Sequence, residues 1–183
     1  MHVRIKEAGM FENFLEFAGI ETEGKIASLD EFLAVVDGKT FLDGMYRIFK
    51  SSDLEKWTGI VEEAFPQAKG KVRIFGYDWL GRVFAVNIAG DNVVMLEPGT
   101  GQILSVPDDV EDFHEYDIAE EADDVLSGGF YRAWLEKNNN YQLKHNECVG
   151  YKVPLFLGGK DNVDNLEAGD MEVYWGVLTP LMP

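Results

Sequence analysis

The chain has 183 residues and a formal net charge of −17, with 33 acidic against 16 basic side chains. That balance argues against unassisted nucleic-acid binding, which needs a cationic face for phosphate, and fits either a basic partner or simple solubility. Hydrophobic residues make up 46% and aromatics 13%, enough apolar material to build a core and to exclude intrinsic disorder as the default.

The length suits one well-buried unit, or two small lobes sharing a core. Cys148 is the only cysteine, so no intramolecular disulfide is expected. The opening MHVRIKEAGMF lacks the apolar core of a signal peptide, and no apolar run approaches the roughly 18 to 20 residues of a membrane span. A cytoplasmic address follows as the expectation.

In chain order, Met10, Phe11, Phe14, Leu15, Phe17 and Ala18 recur at helical spacing, with Gly19 placed to stop the helix. Ser28 and Glu31 form a capping-box pattern that opens a second helix ending near Gly38. FLDGMYRIF, from Phe41 to Phe49, reads as a turn at Asp43-Gly44 followed by a short strand. Ser52 and Glu55 repeat the capping-box spacing. Leu54, Trp57, Ile60, Val61, Ala64 and Phe65 then mark one helical face before Pro66.

From Lys71 to Val106 the period becomes strand-like. VRIFGY, RVFAVNI, NVVMLE and QILSV are separated by DWLG, AGD and PGTG, too short for crossover helices, so four antiparallel strands in a meander are expected. Asp108 to Asp124 carries ten acidic residues and no Lys or Arg. Interleaved Val110, Phe113, Ile118, Ala122, Val125 and Leu126 make it amphipathic helical turns. Gly128-Gly129 reads as a helix interruption ahead of the stripe Phe130, Tyr131, Trp134 and Leu135. Finally Cys148 to Trp175 sets two apolar, strand-like runs, Tyr151–Leu157 and Met171–Leu178, about a glycine-rich loop at Gly158-Gly159. The fold class is α+β: an antiparallel meander packed with several helices, the C-terminal strands completing the sheet.

Patterns that would carry chemistry are weak. His2, His114 and His145 lie far apart, and none has a second metal ligand at a recognised spacing. His145 and Cys148 offer an imidazole and a thiol without an orienting third group, and a buried structural cysteine is the simpler reading. DDVEDFHEYD lacks the ligand spacing and central glycine of a calcium loop. LFLGGKDN lacks the Lys-Ser or Lys-Thr pair of a phosphate loop. No cofactor and no metal are expected. Trp57, Trp79, Trp134 and Trp175 fit core packing better than a stacking platform.

Several stretches resemble the family of type VI secretion system DNase-immunity proteins, which joins a GAD-like N-terminal region to a conserved C-terminal domain. They are YDWLGRVFAV (Tyr77–Val86), LEPGTGQILSV (Leu96–Val106), ECVGYKVPLFLGGKDNVDNLE (Glu147–Glu167) and EVYW (Glu172–Trp175). FLDGMYRIF and the following DLEKW resemble the GAD-like part more loosely. The resemblance implies a bacterial protein, encoded beside a toxin, that blocks that toxin without catalysis. It divides the single unit into a helical GAD-like lobe over 1–66 and a sheet-containing domain over 71–183.

A cognate toxin with a basic nuclease surface is then the expected partner, with no direct nucleic-acid or membrane binding. The contact residues to test are Asp108, Asp109, Glu111, Asp112, Glu115, Asp117, Glu120 and Glu121, together with Lys160, Asp161, Asn162 and Asp164 on the loop. The shared DWLGR and LFLGG motifs should report fold more than partner specificity. The alternative is a small-ligand or regulatory module with a pocket at the sheet, using Trp79, Trp175 and Arg82 as anion anchor.

Overall fold

A computed structural model describes residues 8–183, so His2 lies outside the described residues. The fold is α+β, as the sequence pattern indicates. Helices α1 (Glu12–Phe17) and α2 (Leu29–Val35) lead into strands β1 (Thr40–Phe41) and β2 (Tyr46–Ile48), then helix α3 (Leu54–Ala64). The meander follows as β3 (Val72–Asp78), β4 (Val83–Asn87), β5 (Asn92–Glu97) and β6 (Gln102–Asp109). All six strands join one antiparallel sheet in sequence order, with β2 pairing β3 through Arg47 opposite Tyr77.

The acidic segment forms α4 (Val110–Asp112), a π-helical turn (Phe113–Ile118) and α5 (Ala122–Val125), followed by α6 (Gly128–Lys137). Strands β7 (Glu147–Tyr151) and β8 (Leu166–Asp170) precede the last helix, α7 (Met171–Leu178).

Strand alternation buries both faces of the sheet. Phe75, Phe84 and Val93 point into a cluster with Phe11, Phe14, Phe32 and Phe113, beneath α1, α2 and the π-turn. Ile74, Val83, Ala85, Val94 and Leu96 point the other way, into a cluster with Trp57, Val61, Phe65 and Trp175 from α3 and α7. A period of two on strands and of 3.6 on helices therefore yields a helix–sheet–helix stack.

Local signals work unevenly. Ser28 Oγ accepts from Glu31 N at 3.2 Å, so the first cap forms, while the Glu31 carboxylate reaches back one residue further than a capping box, accepting from Ala27 N at 2.8 Å. The second cap does not form: a 3₁₀ turn over Ser51–Asp53 precedes α3, and Ser51 N instead donates to Asp37 at 2.6 Å. Gly128 begins a helix rather than interrupting one, after Ser127 turns the chain at φ 56°.

The C-terminal strands pair with each other, Cys148 opposite Gly169, as a separate two-stranded ribbon. This ribbon abuts the end of the meander, where Val149 N donates to Trp79 O at 2.7 Å, instead of extending either sheet edge. The run Met171–Leu178, expected as a strand, is helical. Asp170 caps it by accepting from Val173 N at 3.0 Å, and Met171, Trp175 and Leu178 share its buried face. A short apolar run fits either period until its partners are known.

Candidate functional site

The DWLGR turn between β3 and β4 is a junction inside the protein. Asp78 is fully buried, and its carboxylate accepts from Leu80 N and Arg82 N, both at 3.0 Å, and from Arg82 Nε at 2.6 Å. Burial pushes the Asp78 carboxyl above its ordinary value, against the opposing pull of Arg82 and the two amides. Trp79 Nε1 donates to Leu126 O at 2.8 Å, and Trp175 Nε1 donates to Gly81 O at 2.9 Å. Gly81 has φ 73°, and a Cβ there would sit 3.0 Å from Cys148 Sγ, so both conformation and space require glycine. The three side chains of the ligand-binding alternative, Trp79, Arg82 and Trp175, are thus buried and bonded internally.

The histidine and cysteine chemistry resolves in the same direction. Cys148 is buried, and burial pushes its thiol far up, away from thiolate character. His145 packs edge-on against Tyr77, whose hydroxyl donates to His145 O at 2.6 Å. His114 is buried between Tyr46 Oη, 2.8 Å from its Nε2, and Val110 O, 2.7 Å from its Nδ1. Among the described residues no group of three or more His, Cys, Asp or Glu side chains could hold a metal ion. Nor is any described helix long and apolar enough to cross a membrane.

The acidic segment divides into structural and exposed groups. Asp109 caps α4 by accepting from Glu111 N and Asp112 N at 2.9 Å, and Glu115 accepts from Asn13 N and Phe14 N, fixing α1. Glu120 accepts from Asn13 Nδ2 at 3.0 Å. Asp108, Glu111 and Asp117 are half-buried, whereas Asp112, Glu120 and Glu121 face solvent. Burial raises Glu111 above the ordinary carboxylate range. Asp117 is pushed up to about 6 by burial, then by a hydrogen-bonded Asp108 and the charges of Glu121 and Asp112.

A raised carboxylate pKa means that the folded chain gains stability as Asp117 takes its proton, so at neutral pH its charge works against the fold. Asp117→Asn should raise the melting temperature at pH 7.5 by an amount worth less than about 1 kcal/mol after solvent screening. The gain should shrink at pH 5, where the native carboxyl is already protonated. Melting curves at the two pH values check this, and an unchanged difference between them would disprove the assignment.

The loop after β7 is well built. Asn165 Nδ2 donates to Val153 O and Lys160 O at 2.8 and 2.9 Å, and Asn162 caps the turn over Val163–Asn165. Asp161 accepts from Tyr151 Oη at 2.7 Å, and Asp164 pairs with Lys137. Lys160 and Asn162 are exposed beside Val153.

Val153 also belongs to a groove of about 470 Å³ between the β7–β8 ribbon, the following loop and α7. Gly150 and Gly169 lie in its floor; the ring of Tyr174 lies so close to Gly150 that a Cβ would approach it to 2.5 Å. Its walls carry Val153, Leu157, Val173, Val177 and Leu181, five of the ten large apolar side chains exposed among the described residues. Concentration on one groove marks a surface suited to a partner. The sequence pattern put Val153, Leu157, Val173 and Val177 in two core strands and gave Leu181 no element; in the structure β7 ends at Tyr151 and Leu155–Leu157 is a 3₁₀ turn. The available signal was the helical spacing of Val173, Val177 and Leu181, offset from the buried stripe of α7.

The comparisons place a class on this C-terminal segment. Residues 109–182 match the family model described as "T6SS immunity protein Tdi1, C-terminal". The match concerns that segment, less than half of the chain, and supports a type VI secretion immunity domain there. The fold is similar to that in the crystal structure of a protein from Agrobacterium tumefaciens, at TM-score 0.64 and 14% identity over 93% of this chain and 88% of that one. At that identity the likeness concerns the fold alone. No curated protein matches the chain.

Proposed function

We propose that this chain is a non-catalytic immunity protein that binds and neutralises a cognate toxin, a nuclease effector of a type VI secretion system, in the bacterial cytoplasm. The observation that carries the reading is the family match over residues 109–182, the segment that supplies both the exposed acids and the apolar groove. In this reading residues 1–66 act as a GAD-like lobe and 71–183 as the toxin-facing domain. The net charge of −17 suits a basic nuclease surface and disfavours direct contact with nucleic acid. A buried thiol held far above the thiolate range and a buried neutral imidazole are consistent with a protein that does no chemistry of its own.

Co-expression with the toxin encoded beside its gene should rescue growth, and the two purified proteins should co-elute. Failure of both overturns the reading. Charge reversal at the exposed Asp112, Glu120 and Glu121 should slow association about tenfold at low ionic strength, with the difference closing as salt is raised. Equal association rates at every salt concentration would remove electrostatic steering from the account.

A further inference from the structure

The groove beside α7 adds a specific prediction about where a partner sits. Val173 and Val177 lie one turn apart on the solvent side of α7 and are 63% and 59% exposed, although Met171, Trp175 and Leu178 bury the opposite side. Leu157, 55% exposed, faces the same groove from the loop after β7. These apolar groups are held by rigid elements: α7 is capped by Asp170 and anchored by the Trp175 indole, and the loop is pinned by the amide of Asn165. An exposed apolar surface on a rigid frame can receive a complementary side-chain cluster without an ordering penalty.

Charge selects the occupant. Glu167 and Asp170 line the groove and Glu172 stands beside it, where it pairs with Lys56; Lys152 is the basic side chain of the lining. A second copy of this chain would bring another charge of −17 to the contact, which long-range repulsion opposes. A basic partner gains from the same field. Every residue lining the groove also falls within the segment that matches the immunity family.

We propose that this groove is the toxin-docking surface, taking an apolar anchor from the toxin whose flanking Lys or Arg side chains face the acidic rim. The proposal rests on the immunity reading and locates its binding energy. The apolar groove supplies the anchor that slows dissociation, and the exposed acids of the 108–121 segment supply steering.

The test uses the full chain and a catalytically silenced form of the toxin domain encoded beside its gene, with affinity measured by calorimetry. Val173→Glu combined with Val177→Glu alters solvent-facing positions and should leave the melting temperature near that of the wild type while weakening binding at least 30-fold. Leu157→Asp, on a separate element, should weaken binding at least tenfold. The groove assignment falls if the wild type binds and both variants bind within threefold of it; immunity then stands with a different docking face. If the wild type itself does not bind, the immunity reading falls and the docking proposal with it. A wild-type dimer in sedimentation that the Val173→Glu, Val177→Glu variant dissociates would assign the groove to self-association and overturn the partner proposed.

Discussion

Asp78→Ala should destabilise the protein by about 3 to 5 kcal/mol, the range for removing one member of a buried ion pair. The substitution strips the acceptor from two backbone amides and leaves the Arg82 guanidinium buried without its carboxylate, 2.6 Å away in the native structure. The melting temperature should fall by roughly 6 to 20 °C for a chain of this size. Arg82→Met should cost less. It leaves the Asp78 carboxylate its two amide donors, and that carboxyl, already raised by burial, can take up a proton once the guanidinium is gone, whereas an orphaned guanidinium cannot shed its charge. Urea denaturation of the two variants checks the order. A loss under about 1 kcal/mol for Asp78→Ala, or a greater loss for Arg82→Met, would show that the turn is not organised around the carboxylate.

The buried Asp78 carboxylate gives the DWLGR motif its structural role. Its residues hold the meander to the rest of the C-terminal half: Trp79 reaches Leu126 O, Trp79 O receives Val149 N, and Gly81 O receives the Trp175 indole. LEPGTG plays a related part, since Gly99 O accepts from Leu155 N at 2.9 Å. DWLGR and LEPGTG are therefore ties within the fold, whereas the groove side chains Val153, Leu157 and Val173 belong to the other two stretches that carry the resemblance.

Much of the fold was legible wherever one local period and its stop signals agreed. The helix Leu54–Ala64 carries its apolar face at Trp57, Val61 and Ala64 and ends before Pro66, and the meander announces its turns through AGD and PGTG. The last helix was not legible, because MEVYWGVL is short, apolar and rich in residues that also suit strands. Only the side-chain cap from Asp170 and the cavity waiting for Trp175 decide it. The candidate site inherits that ambiguity. Val173 and Val177 become a solvent-facing pair only once the segment is helical, and Leu157 joins them only through the tertiary packing of the loop. The acidic residues were visible individually, but their division into caps, helix ties and free charges depended on where Asn13 and the α4 amides came to rest.

Stability should also fall steeply as pH drops from 6.5 to 4, and His114 is the reason. Burial among Phe11, Phe14, Phe32, Phe75 and Phe113, whose rings lie 4.8 to 5.7 Å from its own, lowers its pKa from the ordinary 6.5 to about 4, with the bond to Val110 O opposing the shift. The unfolded chain therefore accepts a proton at about 6.5 that the folded chain refuses until about 4, so the unfolded state is favoured progressively across that window. Above it this group contributes no slope. At about 1.4 kcal/mol for each pH step, the native state stands to lose about 3 kcal/mol by pH 4. Asp117 works in the opposite sense, because its proton uptake below about 6 favours the fold, and Tyr46, which shares the buried hydrogen bond, does not titrate in this range. The comparison that isolates His114 is accordingly wild type against His114→Gln, since Asp117 is common to both and cancels. The variant should start less stable at pH 7.5, where the native packing and the Tyr46 bond are disturbed, and should then lose less stability on going to pH 5 by about 2 kcal/mol. Parallel pH profiles for the two proteins would mean that the imidazole is solvated enough to take its proton in the folded state, and that the acid sensitivity lies elsewhere.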